Sequence, residues 1–188
     1  MTVSIELQME QMGQRAKKAA RVLSAAAPAA KTQALRALAA LLIERQPDIL
    51  KANALDVNAA KAANMDAPRL DRLTLTPRIM ADMADACLHV AEMADEVGVI
   101  EQQWQRPNGL MIGKMRIPLG VIAMIFESRP NVTIDAAILC LKAGDAVILR
   151  GGSEAIHSNL ALAGLLHEAL SSAGLPEDAA QVVETTDR

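Results

Sequence analysis

Aromatic residues are almost missing from this 188-residue sequence, which has no Tyr, one Trp and one Phe. Hydrophobic residues nevertheless make up 52% of the chain, which is enough for a buried core. That core has to be built from Ala, Leu, Ile, Val and Met. The 10 Met residues are therefore interpreted as filler for irregular gaps in the core rather than as a binding surface.

A strong charge of either sign is also missing, since the net charge is -3 and no long basic run occurs. The densest basic cluster, at residues 15–21, falls within one helical segment and is expected to be a solvated face. No nucleic-acid partner is expected. The chain has no apolar signal core and no uncharged apolar stretch of the roughly 18 residues that span a membrane. We therefore expect a cytoplasmic protein without a membrane partner.

Only two cysteines are present, Cys87 and Cys140, and both lie among apolar neighbours. Their wide separation in sequence and their apolar neighbours predict buried thiols in a reducing compartment. Neither lies in a recognisable nucleophile context; Cys140, on a predicted helix face, has no base beside it and should stay protonated. No metal site is predicted either, because His89, His157 and His167 lack partners at metal-ligand spacing.

Helices are predicted for residues 4–93. Apolar residues recur there at steps of three and four, which is typical of one face of a helix. Asp66 and Thr76 each come shortly before a proline that would lie in a first helical turn, and both are interpreted as N-caps. The pattern changes near Gly98.

Strands are predicted after that point. The first two lie on either side of Asn108-Gly109, a dipeptide that favours a tight hairpin turn. Two uninterrupted apolar strands follow at 120–126 and 146–149, each succeeded by a helix, and a third begins at Val182. This β-α-β-α-β order predicts an α/β fold with a parallel sheet covered by helices on both faces.

Two loops at the predicted carboxyl ends of the strands are the candidate functional site, because ligands of such sheets bind there. They are residues 127–131 (ESRPN) and 150–154 (RGGSE). In the second loop, two glycines are expected to let a ligand approach the backbone, and Arg150 suits a phosphate. A tight turn before a capped helix, with a surface Arg, explains this pattern equally well. The dinucleotide and P-loop fingerprints are both absent.

In the first loop, Asn131 is expected to cap the following helix, and its side-chain amide is also a candidate donor to an oxyanion. Arg129 has two interpretations as well. It is either a clamp for a carboxylate or phosphate, or one half of a surface ion pair with Glu127.

Three segments resemble the gamma-glutamyl phosphate reductase (glutamate-5-semialdehyde dehydrogenase) family of the aldehyde dehydrogenase superfamily: residues 118–122 (PLGVI), 127–132 (ESRPNV) and 147–154 (VILRGGSE). Residues 54–58 (ALDVN) and 70–78 (LDRLTLTPR) are similar to it too, and the likeness covers essentially the whole chain. The ESRPN loop is specific to this family, whereas the rest is shared more widely. The resemblance implies an aldehyde-dehydrogenase-like fold with a Rossmann-like sheet.

The resemblance also implies a reaction, the NADPH-dependent reduction of gamma-glutamyl phosphate to glutamate-5-semialdehyde and phosphate in proline biosynthesis. In the superfamily a Cys forms a thioester, and Asn131 matches the Asn that holds its oxyanion. Residues 150–154 match the segment that contacts the adenosine ribose, where Arg in place of Lys implies NADP as cofactor. The implied cofactor-binding residues are Ser128, Arg150, Gly151, Gly152, Ser153 and Glu154, and the implied substrate contact is Arg129.

By the same resemblance, residues 1–97 would be the helical part of a cofactor domain, 98–117 an oligomerisation flap, and 118–188 the start of an NADP-binding sheet. The family's nucleophilic Cys lies past residue 188, so we expect a sheet incomplete at the C-terminus and a chain that is inactive alone. A homo-oligomer and an association with glutamate kinase are implied as partners. The alternative, a non-catalytic cofactor-binding or interaction fragment, stays open.

Overall fold

The computed structural model describes residues 4–185. Five helices come first: α1 (Ile5–Ser24), α2 (Pro28–Glu44), α3 (Gln46–Ala62), α4 (Ala67–Leu73) and α5 (Pro77–Glu92). They are followed by β1 (Ile100–Gln105), β2 (Met111–Met115), β3 (Val121–Ile125), α6 (Val132–Ala143), β4 (Ala146–Arg150), α7 (Ile156–Ser172) and β5 (Ala180–Val182). The helices predicted for residues 4–93 and the β-α-β-α-β order after them are confirmed. None of the helices in the described range has the length and apolar character needed to cross a membrane.

Two of the helix starts follow from local chemistry. The Asp66 carboxylate accepts a hydrogen bond from the Arg69 backbone N–H at 2.9 Å, and the Thr76 hydroxyl accepts one from that of Ile79 at 3.2 Å. Each helix also has a proline in its first turn, where the missing N–H leaves no bond unmade. Both predicted N-caps are confirmed.

The predicted hairpin is confirmed as well, since β1 and β2 form an antiparallel pair. At its tip, Gly109 has a φ of +86°, which glycine adopts without steric cost. At its base, the Arg116 guanidinium contacts the carboxylates of Glu96 and Glu101 at 2.5 and 2.6 Å. These ion pairs are about half exposed, so they define the position of the hairpin more than they stabilise the fold.

The second sheet is parallel, with the strand order β3-β4-β5. Helices α6 and α7 connect neighbouring strands in the same direction and therefore lie on one face, because such crossovers are right-handed. Helix α1 packs across all three strands on the other face. Val147 and Leu149 of the central strand are completely buried as a result.

Strand β3 departs from the expectation that every strand is covered on both faces. Its alternate residues Val121, Ala123 and Ile125 are exposed, and Ile125 keeps 77% of its surface accessible. The reason is that β3 lies at an edge of the sheet: within residues 4–185 it pairs only with β4, and α1 extends only partly over it. An apolar strand sequence is thus not sufficient to show that both faces are buried.

A buried ion pair joins the helices to the segment that leads into the hairpin. Lys31 is 1% exposed, and its Nζ lies 2.5 Å from the carboxylate of Asp95. The same Nζ donates to the Lys142 carbonyl at 3.3 Å, which connects α2 to α6. Burial opposes ionisation of Asp95, but the hydrogen bonds from Lys31 and from the Val97 N–H outweigh it and lower the Asp95 pKa. The main hydrophobic core also extends through both the helices and the sheet.

Candidate functional site

The two loops predicted as a site meet at the carboxyl ends of β3 and β4. A cavity of about 170 Å³ lies between them, lined by residues 125–128 at the end of β3 and the start of the first loop, and by Arg150 and residues 152–154 of the second. Met65, from the turn between α3 and α4, and Arg69, from α4, complete the lining. This is the edge of a parallel sheet at which ligands bind. The volume of the cavity suits one phosphate or sugar group of a larger ligand.

Ser128 and Glu154 tie the two loops together. One oxygen of the Glu154 carboxylate accepts from the Ser128 backbone N–H at 2.8 Å and from its hydroxyl at 2.6 Å. Ser128 is buried and has a φ of +45°, a conformation that is rare for residues other than glycine. Burial favours the neutral acid, but the Ser128 hydrogen bonds outweigh it and lower the Glu154 pKa, so the carboxylate is charged at neutral pH.

The two glycines of the second loop are closely surrounded by the protein's own side chains. A Cβ on Gly151 would overlap the side-chain amide nitrogen of Asn159, and one on Gly152 would overlap the Glu154 carboxylate. Asn159 is 1% exposed and accepts a hydrogen bond from the Thr133 hydroxyl at 3.0 Å, so it has little freedom to move. The expected reason for these glycines, close approach of a ligand to the backbone, stays a prediction, and the geometry adds a packing reason at Gly151.

A methyl group at Gly151 should therefore be costly. We expect Gly151→Ala to lower the free energy of unfolding by about 1–3 kcal/mol, the usual range for overpacking a core. Denaturant unfolding followed by circular dichroism measures it. Gly164→Ala is the matched control, because a Cβ there meets nothing within 4 Å. Since Gly164 lies within α7, that variant should gain up to about 1 kcal/mol. A Gly151→Ala protein as stable as the wild type would contradict this account.

The helix after the second loop is capped by a residue far away in sequence. The Asp56 carboxylate, on α3, accepts from the backbone N–H groups of His157 and Ser158 at 3.2 and 2.8 Å. It also contacts the Ser158 hydroxyl at 2.6 Å and His157 Nδ1 at 2.7 Å. Asn53, one turn earlier on α3, donates to the Ser158 hydroxyl at 3.0 Å. The start of α7 is thus held by α3 and needs no cap from its own sequence.

Asn131 does not cap its helix. Its backbone is helical, with φ -58° and ψ -28°, and its side-chain nitrogen donates to the Asp135 carboxylate at 3.0 Å. The first N–H groups of α6 are already satisfied, since those of Val132 and Thr133 donate to the carbonyls of Arg129 and Pro130 at 3.0 Å. The N-cap prediction for Asn131 is therefore wrong. The amide has a second N–H, so a role as oxyanion donor stays a prediction.

Arg129 is exposed and does not line the cavity between the loops. The alternative interpretation of Arg129 was a surface ion pair with Glu127. No such salt bridge occurs within residues 4–185. A role in substrate binding therefore stays a prediction for Arg129. Ser128, Arg150, Gly152, Ser153 and Glu154, in contrast, are brought together around one cavity.

Two contributors were missed by sequence reasoning: Asp56, which caps α7, and Arg69, which lines the cavity. The sequence did offer a signal for both. Asp56 lies within residues 54–58 and Arg69 directly precedes residues 70–78, the two further segments that are similar to the family. Asp66 was identified correctly as a cap, but local sequence does not show that α4 packs beside the sheet edge.

Neither thiol is a suitable nucleophile. Burial raises the pKa of Cys87 to about 12 and that of Cys140 to about 11, and nearby carboxylates add to both shifts. Within residues 4–185, no group of three or more His, Cys, Asp or Glu side chains is arranged to hold a metal ion.

A larger cavity, of about 910 Å³, lies elsewhere, between α1 and the segment that leads from the hairpin into β3. Exposed apolar residues such as Ile117 and Leu119 form much of its wall. Lys17, Arg21, Ser24 and Arg116 line it as well, but it lies at the amino end of β3, away from the carboxyl ends of the strands where ligands of a parallel sheet bind. The smaller cavity between the loops is therefore the better candidate.

Comparison with known proteins gives a consistent result. Residues 3–188 match the sequence profile of the aldehyde dehydrogenase family. A gamma-glutamyl phosphate reductase from Nitratidesulfovibrio vulgaris is 70% identical over 186 residues, which are 99% of this chain and 44% of that protein. One from Mesorhizobium japonicum is 53% identical over 180 residues, 96% of this chain and 42% of that protein. The chain thus spans less than half the length of these relatives.

Solved structures agree with the sequences. The crystal structure of a gamma-glutamyl phosphate reductase from Thermotoga maritima superposes with a TM-score of 0.92 at 38% identity, covering 95% of this chain and 43% of that one. The enzyme from Saccharomyces cerevisiae superposes with a TM-score of 0.88 at 28% identity, over 94% of this chain and 46% of that one. The predicted family resemblance and fold class are confirmed.

Proposed function

The chain belongs to the aldehyde dehydrogenase family, and from this premise we propose that it supplies the NADP-binding part of a gamma-glutamyl phosphate reductase. The observation that carries the proposal is the meeting of the two reductase-like loops around one polar cavity at the carboxyl edge of the sheet. The reaction would be the reduction of gamma-glutamyl phosphate to glutamate-5-semialdehyde and phosphate, as the names and likeness of the relatives support.

The residues around the cavity fit the adenosine end of NADP. Arg150 brings a guanidinium to the strand end, where its planar fork suits a phosphate. Glu154 is ionised, so its carboxylate can accept a hydrogen bond from a ribose hydroxyl. Gly152 and Ser153 line the cavity together with Arg150 and Glu154. NADPH, when bound, supplies the hydride for the reduction.

This chain's own part in the chemistry would be to bind and orient. Asn131, at the start of α6, would donate the N–H that Asp135 does not use to an oxyanion of the substrate. Arg129 would contact the substrate from the exposed side of the same loop. The thioester chemistry of the superfamily needs an activated thiol, and the raised pKa values of Cys87 and Cys140 do not suit that role.

The raised pKa values of the same two thiols support a second candidate, a non-catalytic cofactor-binding or interaction fragment that does not turn over alone. A homo-oligomer with the hairpin as its flap, an association with glutamate kinase and a cytoplasmic location are further parts of the proposal, supported by the family resemblance.

Nucleotide binding to the full-length protein tests the proposal. We expect Arg150→Ala to weaken NADPH binding about ten- to a hundredfold, the value of a charge-assisted contact, and to leave NADH binding unchanged. Fluorescence titration with both nucleotides measures this. Arg106→Ala, at the exposed hairpin tip, is the control for the loss of one positive charge. Equal weakening of NADPH and NADH would exclude a contact between Arg150 and the 2′-phosphate.

A further inference from the structure

A second arginine lines the candidate cofactor cavity. Arg69 belongs to α4, in the helical part of the chain, yet it lines the same cavity as Arg150 and Ser153. Its guanidinium is close enough to Glu154 and Glu127 for their charges to act on it. The cavity is therefore lined by two arginines that come from different parts of the chain.

The backbone and the side chain of Arg69 both contact the carboxylate of Asp66. One oxygen of Asp66 accepts the backbone N–H of Arg69 at 2.9 Å, and the other accepts Nε of its side chain at 2.5 Å. Neither bond uses the two terminal nitrogens of the guanidinium. The ion pair is about half exposed and restricts the side chain only modestly, so it lowers the entropic cost of ligand binding at the terminal nitrogens by a small amount.

Helix α4 is anchored to the segment that directly follows the second loop. Leu73, at its end, is completely buried and packs in one cluster with Ala60 and with Ala155, the residue that follows the loop. Asn53 donates to the Leu73 carbonyl at 2.8 Å, and the same side-chain nitrogen donates to Ser158 at 3.0 Å. The position of the α4 backbone relative to the start of α7 is thereby set by buried contacts, and the exposed Arg69 side chain extends from it.

We propose that Arg69 is a specificity-determining residue, which forms with Arg150 a two-arginine site for the 2′-phosphate of NADP. This inference rests on the proposed function. A phosphate monoester carries a charge of about -1.5 to -2 at pH 7, so one guanidinium leaves it partly uncompensated. Glu127 and Glu154 also line the cavity and Asp66 pairs with Arg69, so the phosphate would be held by direct hydrogen bonds from the two guanidinium groups rather than by a net positive charge. NAD has a neutral hydroxyl at this position, so a second cation adds little to its binding.

The experiment compares variants of α4 in the full-length protein. NADPH, NADH and the fragment 2′,5′-ADP are titrated against the wild type, Arg69→Ala, Arg69→Lys and Arg72→Ala. Arg72 is the matched control, because it is an exposed arginine on the same helix that does not line the cavity. Melting temperatures are recorded for every variant, so that a change in folding is separated from a change in binding.

We expect Arg69→Ala to weaken NADPH and 2′,5′-ADP about tenfold or more and to leave NADH unchanged. Arg69→Lys, which keeps the charge without the fork, should lie between wild type and Arg69→Ala, and Arg72→Ala should match the wild type. Equal weakening of all three ligands by Arg69→Ala, or no weakening, would overturn the inference. A wild type that binds neither NADPH nor 2′,5′-ADP would instead contradict the proposed function, before any variant is compared.

Discussion

Asp56→Asn is expected to lower the free energy of unfolding by about 3 kcal/mol or more. The Asp56 side chain is 2% exposed, and its two oxygens receive the two backbone N–H groups, the hydroxyl and the imidazole nitrogen described above. An Asn amide would offer N–H groups to donors that need an acceptor, which leaves buried donors unsatisfied. Each hydrogen bond to a charged group contributes about 1.5–3 kcal/mol, so losing two of them gives the expected value.

Urea unfolding followed by circular dichroism measures this change. Asp82→Asn is the matched control, because Asp82 is exposed on α5 and a surface change of this kind stays within about 0.5 kcal/mol. If both variants unfold at the wild-type midpoint, the carboxylate of Asp56 does not hold the start of α7. The variant should also bind NADPH more weakly, because the loop of residues 150–154 precedes the helix that Asp56 caps.

Asn131→Ala is expected to reduce turnover of the full-length protein at least about a hundredfold, the usual cost of removing an oxyanion donor. Its stability should change by only about 1 kcal/mol, because the side chain makes one hydrogen bond, to Asp135, and caps no helix. The reverse reaction, phosphate-dependent reduction of NADP by glutamate-5-semialdehyde, provides the rate. The Michaelis constant should change little, since the donor acts in the transition state.

The alanine variant is preferable to Asn131→Asp. The amide nitrogen lies 3.0 Å from the Asp135 carboxylate, whose pKa is raised by burial despite the hydrogen bond from Asn131. A second carboxylate at this distance would repel the first and disturb the loop, which confuses a catalytic effect with a structural one. Asn58→Ala, at an exposed position on α3, serves as the control. Normal turnover by Asn131→Ala would show that the amide only orders the loop.

Features set by neighbouring residues could be predicted from the sequence. Asp66 and Thr76 cap their helices because the capping oxygen and the N–H it accepts lie three residues apart. Asn131 shows the same local pattern but fails to cap, because the preceding turn, with Ser128 at positive φ, already supplies two carbonyl acceptors. That turn depends on Glu154, 26 residues later, so local sequence cannot reveal it.

The parts of the site that come from the helices could not be predicted, for a related reason. Asp56 and His157 are 101 residues apart, and nothing in either segment shows that they meet. The glycines show a third case. Their positions follow from the loop motif, but the sequence does not show that the buried side chain of Asn159 occupies the space of a Cβ at Gly151. Sequence reasoning therefore identified two loops that do meet around one cavity, and it missed much of what holds them together.

The open edge of β3 has a consequence for handling this chain. Within residues 4–185 the strand is hydrogen-bonded on one side only, and it exposes Val121 and Ile125 close to the exposed Ile117 and Leu119. A free edge with apolar side chains is a template on which a strand of another molecule can add. The chain by itself should therefore aggregate through β3 as its concentration rises, unless another segment or molecule covers that edge.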